Sequence, residues 1–197
     1  KSPARYAIEP DASSASYFWA AAAVVGGCVT VSGLNRTSLQ GDVRFVDVLA
    51  QMGCRVEECD TGITVRGGKL RGVDVDMNDI SDTVMTLGAV ALFADGPSRL
   101  RNIGSWRVKE TDRIAAMAAE LRKLGAEVEA TADSLRVVPP SALKPATIDT
   151  YDDHRMAMSF AMMSAKISGM EIEEPHVVEK SFPTFWETLR SFGIGAS

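Results

Sequence analysis

The chain has 197 residues, 46% hydrophobic and 24% charged, with a formal net charge of −5. That is the balance of a folded protein of one large domain or two small ones, and it excludes a nucleic-acid footprint and a polybasic membrane arm. Three cysteines (Cys28, Cys54 and Cys59) with no CxxC pair exclude a disulfide framework and a structural zinc site, so they read as reduced thiols.

The sequence begins at Lys1 with no Met and no signal-peptide pattern. The apolar run at residues 20–25 is too short to span a bilayer and ends in Gly26-Gly27. A cytoplasmic protein, and a piece of something longer, is the expectation. ASSASYFWAAAAVVGG (12–27) predicts a helix apolar nearly all round, with Ser13 as its cap and burial on every side as its consequence. The alternating CVTVSGL predicts a strand, and RVEEC with GITVRG predicts two more. The same order then returns. SDTVMTLGAVALFADG (81–96) matches the first helix, with Ser81 as its cap, and SRLRNI is the next strand. RIAAMAAELRKLG predicts an amphipathic helix, with Gly125 able to take φ > 0 past its end. MGCRVEECDTGITV (52–65) aligns without gaps on LGAEVEATADSLRV (124–137), pairing Gly53 with Gly125. A third copy runs from DDHRMAMSFAMMSAKISG (152–169), capped by Asp152, through strand MEIEE to FPTFWETLRSFGIG (182–195), where Phe192-Gly193 echoes Leu124-Gly125. No strand pair follows Gly193. The expected organisation is therefore an α/β (α+β) chain with a leading segment at 1–9 and one domain at 10–197. Its repeats cover about 11–68, 79–140 and 150–197, the last incomplete, with sheets wrapped around buried helices.

Chemistry concentrates at the predicted helix starts. Residues 99–123 hold seven Lys or Arg against three acids. In WRVKETDR, Lys109 and Arg113 share one helix face with Glu110 beside them, and cations in a first turn oppose the helix dipole unless an anion sits opposite. A solvated helix start with a Glu110–Arg113 surface pair accounts for that pattern alone. DDHRMAM places His154 and Arg155 at another positive helix end, either as a turn capped by Asp152 or Asp153 with a cation salt-bridged to it, or as a second anion site for which the Arg fork is suited. Asp82 in ISDTVMT reads as a cap or a functional carboxylate. Lys180 stands just before Pro183, an N1-type residue for the last helix. The repeat points all these starts toward one end of the domain, and that convergence is the stronger argument. His176 and the methionines of MAMSFAMM read as structural. No GxxxxGK[ST] or GxGxxG occurs, which disfavours nucleotide hydrolysis and dinucleotide binding, and no cysteine has the setting of a nucleophile.

At these residues the chain resembles the 5-enolpyruvylshikimate-3-phosphate synthase family, through DASSASYF, the stretch from SLQGD to LAQMG, ISDTVMT, NIGSWRVKETDR, ELRKLGAEVE, YDDHRMAM and EKSFP. The resemblance implies one of two similar domains, here the C-terminal one, built of three βαβαββ units with pseudo-threefold symmetry. The partner it implies is the N-terminal domain, whose leading segment crosses over to complete the third unit. It implies transfer of the enolpyruvyl group of phosphoenolpyruvate to the 5-hydroxyl of shikimate 3-phosphate by addition and elimination, without metal or cofactor, and glyphosate as an occupant of the phosphoenolpyruvate site. By motif, Asp82 is similar to the carboxylate on the shikimate hydroxyls, and Lys109 to the lysine reaching the same hydroxyl and shikimate 3-phosphate. Glu110 is similar to the acid/base group near the methylene carbon. Arg113, Arg155 and Lys180 resemble the cations that hold phosphoenolpyruvate, with His154 a neighbour of weaker claim. Ser105 stands where the family often has Asn, which implies a shorter or water-mediated substrate contact. Two other readings stay open: a UDP-N-acetylglucosamine enolpyruvyl transferase, against which KETDR and DDHRMAM argue, and a non-catalytic binding module of the same fold.

Overall fold

The computed structural model describes residue 5 and residues 7–194; most of the leading segment expected at 1–9 and the last residues of the third unit, 195–197, fall partly or wholly outside it. Three helices form the centre. α1 (Ala12–Val25), α3 (Val84–Ala91) and α5 (His154–Ala161) are buried along almost their whole surface, as their unbroken apolar faces require. α3 packs against both α1 and α5, and α1 also meets the 3-10 turn Met162–Ala165 that continues α5. Where they converge, each contributes one buried hydroxyl: Ser16 and Thr86 stand 3.1 Å apart, Thr86 and Ser159 3.4 Å. Small hydroxyl side chains let three backbones approach while each polar atom keeps a partner.

Each central helix heads one unit. The first continues through β1 (Cys28–Ser32), α2 (Phe45–Met52), β2 (Arg55–Cys59) and β3 (Gly62–Arg66), in an antiparallel sheet of order β1-β3-β2. The second is complete: β4 (Asp74–Asp76), α3, β5 (Ser98–Arg101), α4 (Arg113–Lys123), β6 (Glu127–Ala130) and β7 (Leu135–Val138) form a sheet of order β4-β5-β7-β6, with β4 parallel to β5 and the other pairs antiparallel. Among the described residues the third holds β8 (Thr147–Ile148) parallel to β9 (Glu171–Ile172), enclosing α5, and then α6 (Phe185–Ser191). Gly53, Gly125 and Gly193 close α2, α4 and α6 at φ of 112°, 100° and 73°, a left-handed turn that side chains resist.

The expected caps shift. Asp11, not Ser13, caps α1, accepting from the Ser13 N–H; of the two candidates Asp152 and Asp153, it is Asp153 that caps α5, accepting from the Arg155 N–H. No side chain caps α3, because a 3-10 turn, Asn78–Thr83, leads straight into it and takes Ser81 with it. His176 is exposed, while the methionines of α5 and the following turn are fully buried.

Candidate active site

The expected site residues other than Ser105 meet at one end of the central helices, although the elements carrying them differ from expectation. Only Arg113, His154 and Arg155 lie in a helical first turn, at the starts of α4 and α5. Lys109 and Glu110 are not helical: Lys109 follows the 3-10 turn Gly104–Val108, and α4 starts later because Asp112 caps it by accepting from the Ala115 N–H. Asp82 lies in the 3-10 turn ahead of α3, and Lys180 ends the 3-10 turn Pro175–Lys180, with Pro183 in the turn before α6 rather than at its first position.

Arg113 is the hub, and it is buried at 1% exposure rather than forming a surface pair. Its Nε donates to Asp153 Oδ2 at 2.7 Å, and its Nη2 to Glu110 Oε2 at 2.7 Å and Asp153 Oδ1 at 3.3 Å. Its Nη1 lies 3.6 Å from Asp82 Oδ1. Every nitrogen faces a carboxylate, and Nη1, with no hydrogen bond, is the most loosely held. Asp82 caps nothing and instead collects cations: Arg155 donates to its Oδ2 at 3.0 Å, and Lys109 Nζ is 3.5 Å from its Oδ1. That Oδ1 is buried without a hydrogen bond, with the Lys109 and Arg113 charges at 3.5 and 3.6 Å facing it. Lys180 Nζ, on a side chain 58% exposed, donates to Glu110 Oε1 at 2.9 Å.

These contacts set protonation. Desolvation, the largest influence on Glu110, pushes its pKa up, but the Lys180 hydrogen bond, its own backbone N–H and the charges of Arg113 and Lys180 together bring it down to about 2. Desolvation and the adjacent Arg155 charge lower His154, whose buried Nδ1 has no partner, so the imidazole is neutral at pH 7. Burial raises Asp42, which accepts from the Ser13 hydroxyl and feels Asp82.

Three members were missed in the sequence. Asp153 was weighed as a cap but also holds Arg113; Tyr17, buried in α1, has its hydroxyl 3.4 Å from Arg155 Nη1 and its pKa pushed by burial up to about 12; Asp42 completes the rim. Tyr17 had a signal, as the one hydroxyl-bearing aromatic of the ASSASYFW stretch that opens α1. Ser105 is apart from the cluster. It lines a polar cleft with Arg44, Gln51, Asp76 and Asn102, between α2 and the turns ahead of α3 and α4. Among the described residues no helix is long and apolar enough to cross a membrane.

Residues 1–189 match the family model described as EPSP synthase (3-phosphoshikimate 1-carboxyvinyltransferase). The sequence is 53% identical over 189 residues to the 3-phosphoshikimate 1-carboxyvinyltransferase of Serratia proteamaculans, covering 96% of this chain and 44% of that protein. It is 54% identical over 186 residues to that of a Sulfurovum species, covering 94% and 44%. The structure superposes on an EPSP synthase from Acinetobacter baumannii with a TM-score of 0.82 at 29% identity, over 95% of this chain and 46% of that one. It shares its fold with the enolpyruvyl transferase NikO from Streptomyces tendae, at a TM-score of 0.74 and 22% identity over 95% and 44%. The chain spans about half the length of the relatives it matches. With four cations and three carboxylates gathered at the ends of pseudo-threefold helices, it belongs to the EPSP synthase family.

Proposed function

We propose that this chain is the C-terminal half of a 3-phosphoshikimate 1-carboxyvinyltransferase, which moves the enolpyruvyl group of phosphoenolpyruvate to the 5-hydroxyl of shikimate 3-phosphate and releases phosphate. The observation that carries it is the meeting of Lys109, Arg113, Arg155 and Lys180 around Asp82 and Glu110. Two phosphorylated substrates outweigh the single positive charge left after the carboxylates Asp82, Glu110 and Asp153 are counted, so the complementary domain supplies further cations across the cleft. That domain is the partner, residues 1–9 belong to the connection toward it, and its leading segment pairs with the free side of β9. The free thiols Cys28, Cys54 and Cys59 fit the cytoplasm.

In this reading Asp82 takes the proton of the attacking 5-hydroxyl, and Lys109 holds that hydroxyl and the shikimate phosphate. Arg155, Lys180 and Arg113 hold the phosphate and carboxylate of phosphoenolpyruvate, and Ser105 stands at the rim through water. His154, being neutral, orients rather than charges. Glu110 at about 2 is a carboxylate at neutral pH, hydrogen-bonded to the Lys180 ammonium. Lys180 is therefore the acid that protonates C3 as the hydroxyl attacks C2, and Glu110 the base that removes a proton from the resulting methyl group as phosphate leaves. The proton taken from the methyl group returns from Glu110 to Lys180 across their hydrogen bond, and the hydroxyl proton held by Asp82 leaves with the released phosphate. Both charges act in a site shaped before the substrates arrive.

The test is phosphate release from the two substrates by this chain mixed with a separately made N-terminal half. Phosphate appears only in the mixture and falls at least about 100-fold with Lys180→Ala. Turnover by this chain alone, or halves that bind each other yet stay silent, would overturn the reading.

A further inference from the structure

The inward face of α4 carries two charged residues, Arg113 and Glu120, two turns apart and both essentially buried. Arg113 belongs to the site. Glu120, at 0% exposure, has no role in the reaction described above, and a carboxylate withdrawn from water at no benefit would be costly. Its Oε1 accepts from the Tyr151 hydroxyl at 2.7 Å and its Oε2 from the Asp149 N–H at 3.2 Å, with Lys123 Nζ 2.8 Å from Oε2. The turn that it grips is unusual. Tyr151 and Asp152 are consecutive left-handed residues at φ of 53° and 56°, and neither is glycine. Sterics oppose that conformation in any side-chain-bearing residue, most of all in a bulky one, and it persists only where surroundings enforce it.

The residues after the turn are Asp153, which holds Arg113 and caps α5, and Arg155, which holds Asp82. We propose that Glu120 is a positioning residue: by gripping Tyr151 and Asp149 it keeps the left-handed pair in place and so fixes where Asp153 and Arg155 present their side chains to the site. α4 thereby fastens the turn twice, through Glu120 on its backbone side and through Arg113 on its exit. The effect on turnover rests on the function proposed above; the effect on the turn does not.

The first measurement is hydrogen exchange in this chain at the Asp153 and Arg155 amides, which donate to the Thr150 carbonyl and the Asp153 carboxylate. Tyr151→Phe speeds both about tenfold and leaves the amides of β3 unchanged, and Glu120→Gln, which keeps one acceptor, gives a smaller change in the same direction. The second is kinetics of the mixture with the N-terminal half. Tyr151→Phe raises KM for phosphoenolpyruvate about tenfold with kcat within twofold, and Asp152→Gly in that background restores KM, because glycine takes the left-handed conformation without strain. A merely structural role would reduce the active fraction and leave KM alone. Unchanged exchange at both amides, or a KM that glycine does not restore, overturns the proposal. A wild-type mixture that releases no phosphate removes the reaction while the exchange comparison still decides on the clamp. Should Tyr151→Phe not fold, Glu120→Gln is read by the same two measures.

Discussion

The second and third units start alike and end differently. In both, a parallel strand pair, β4 with β5 and β8 with β9, encloses a buried helix. In the second, β7 and β6 extend the sheet, whereas the third has two two-residue strands and α6, beside an apolar groove lined by Phe18, Val29, Met162, Phe192 and Ile194. The finished unit stands on its sheet and core. The unfinished one, besides packing α5 on α3, is stapled to it by polar bridges, Arg113 to Asp153, Arg155 to Asp82, Glu120 to Tyr151 and Glu110 to Lys180, and three of these four run through the site. Residues that hold anionic substrates in the proposed reaction thus also hold the third unit in place.

Breaking the buried staple is expected to have the largest effect. Asp153→Ala leaves the Arg113 guanidinium buried without its main partner, and removal of one member of such a pair costs about 4 kcal/mol. The double change Arg113→Met with Asp153→Leu recovers most of that, since a packed apolar pair carries no desolvation penalty. Urea unfolding with a constant m-value checks both. A cost below about 1 kcal/mol for Asp153→Ala would mean that the third unit is held by its apolar contacts and not by the bridges.

Two of the three tryptophans, one in each of these units, sharpen the comparison. Each donates its indole N–H to a backbone carbonyl at 2.8 Å, Trp106 to Ser81 in the second unit and Trp186 to Pro175 in the third. Trp106 is fully buried and Trp186 only in part. Trp106→Ala is expected to cost about 3 kcal/mol, from the cavity and the orphaned carbonyl, and Trp186→Ala about 1 kcal/mol, both read as shifts in the urea midpoint. Equal costs would erase the distinction between a finished core and a stapled one.

What the sequence showed follows the same division. The buried helices and the strands β1, β2, β3 and β5 were legible because their periodicity is local. The strands β4 and β8 were not, being too short to alternate and existing only through parallel partners far along the chain. At the site, the residue types were legible and their elements were not. Lys109, Glu110 and Arg113 have helical spacing, yet Asp112 caps α4 ahead of Arg113 and leaves the first two in a turn; ETDR held that cap signal. Ser105 was carried over as a departure, Ser where the family often has Asn, and with no hydrogen bond or ion pair to the cluster it lines the neighbouring cleft. The partnership of Arg113 with Asp153 could not be read at all, since only packing of α4 against α5's turn creates it.

The smallest expected effect is on acid stability, and it separates the two units by pH. His154, in the third unit, has its pKa lowered from 6.5 by burial and by Arg155. The unfolded chain therefore takes up a proton below pH 6.5 that the folded chain refuses, and stability falls from that point downward. Glu110, in the second unit, titrates near about 2 when folded against an ordinary 4.5, so its contribution is complete above 4.5 and disappears as pH falls toward 2. The profile of the urea midpoint against pH accordingly declines in two windows. His154→Gln flattens the upper window only. Lys180→Met removes the first of the groups that depress Glu110, moves its carboxyl resonance to titrate at higher pH, and flattens the lower window only. The Glu110 bridge is partly exposed, so added salt shrinks the lower window while the buried histidine's window persists. If both windows respond to Lys180→Met, the bridge and the histidine titrate as one unit, and the seam between the two units is a single electrostatic object.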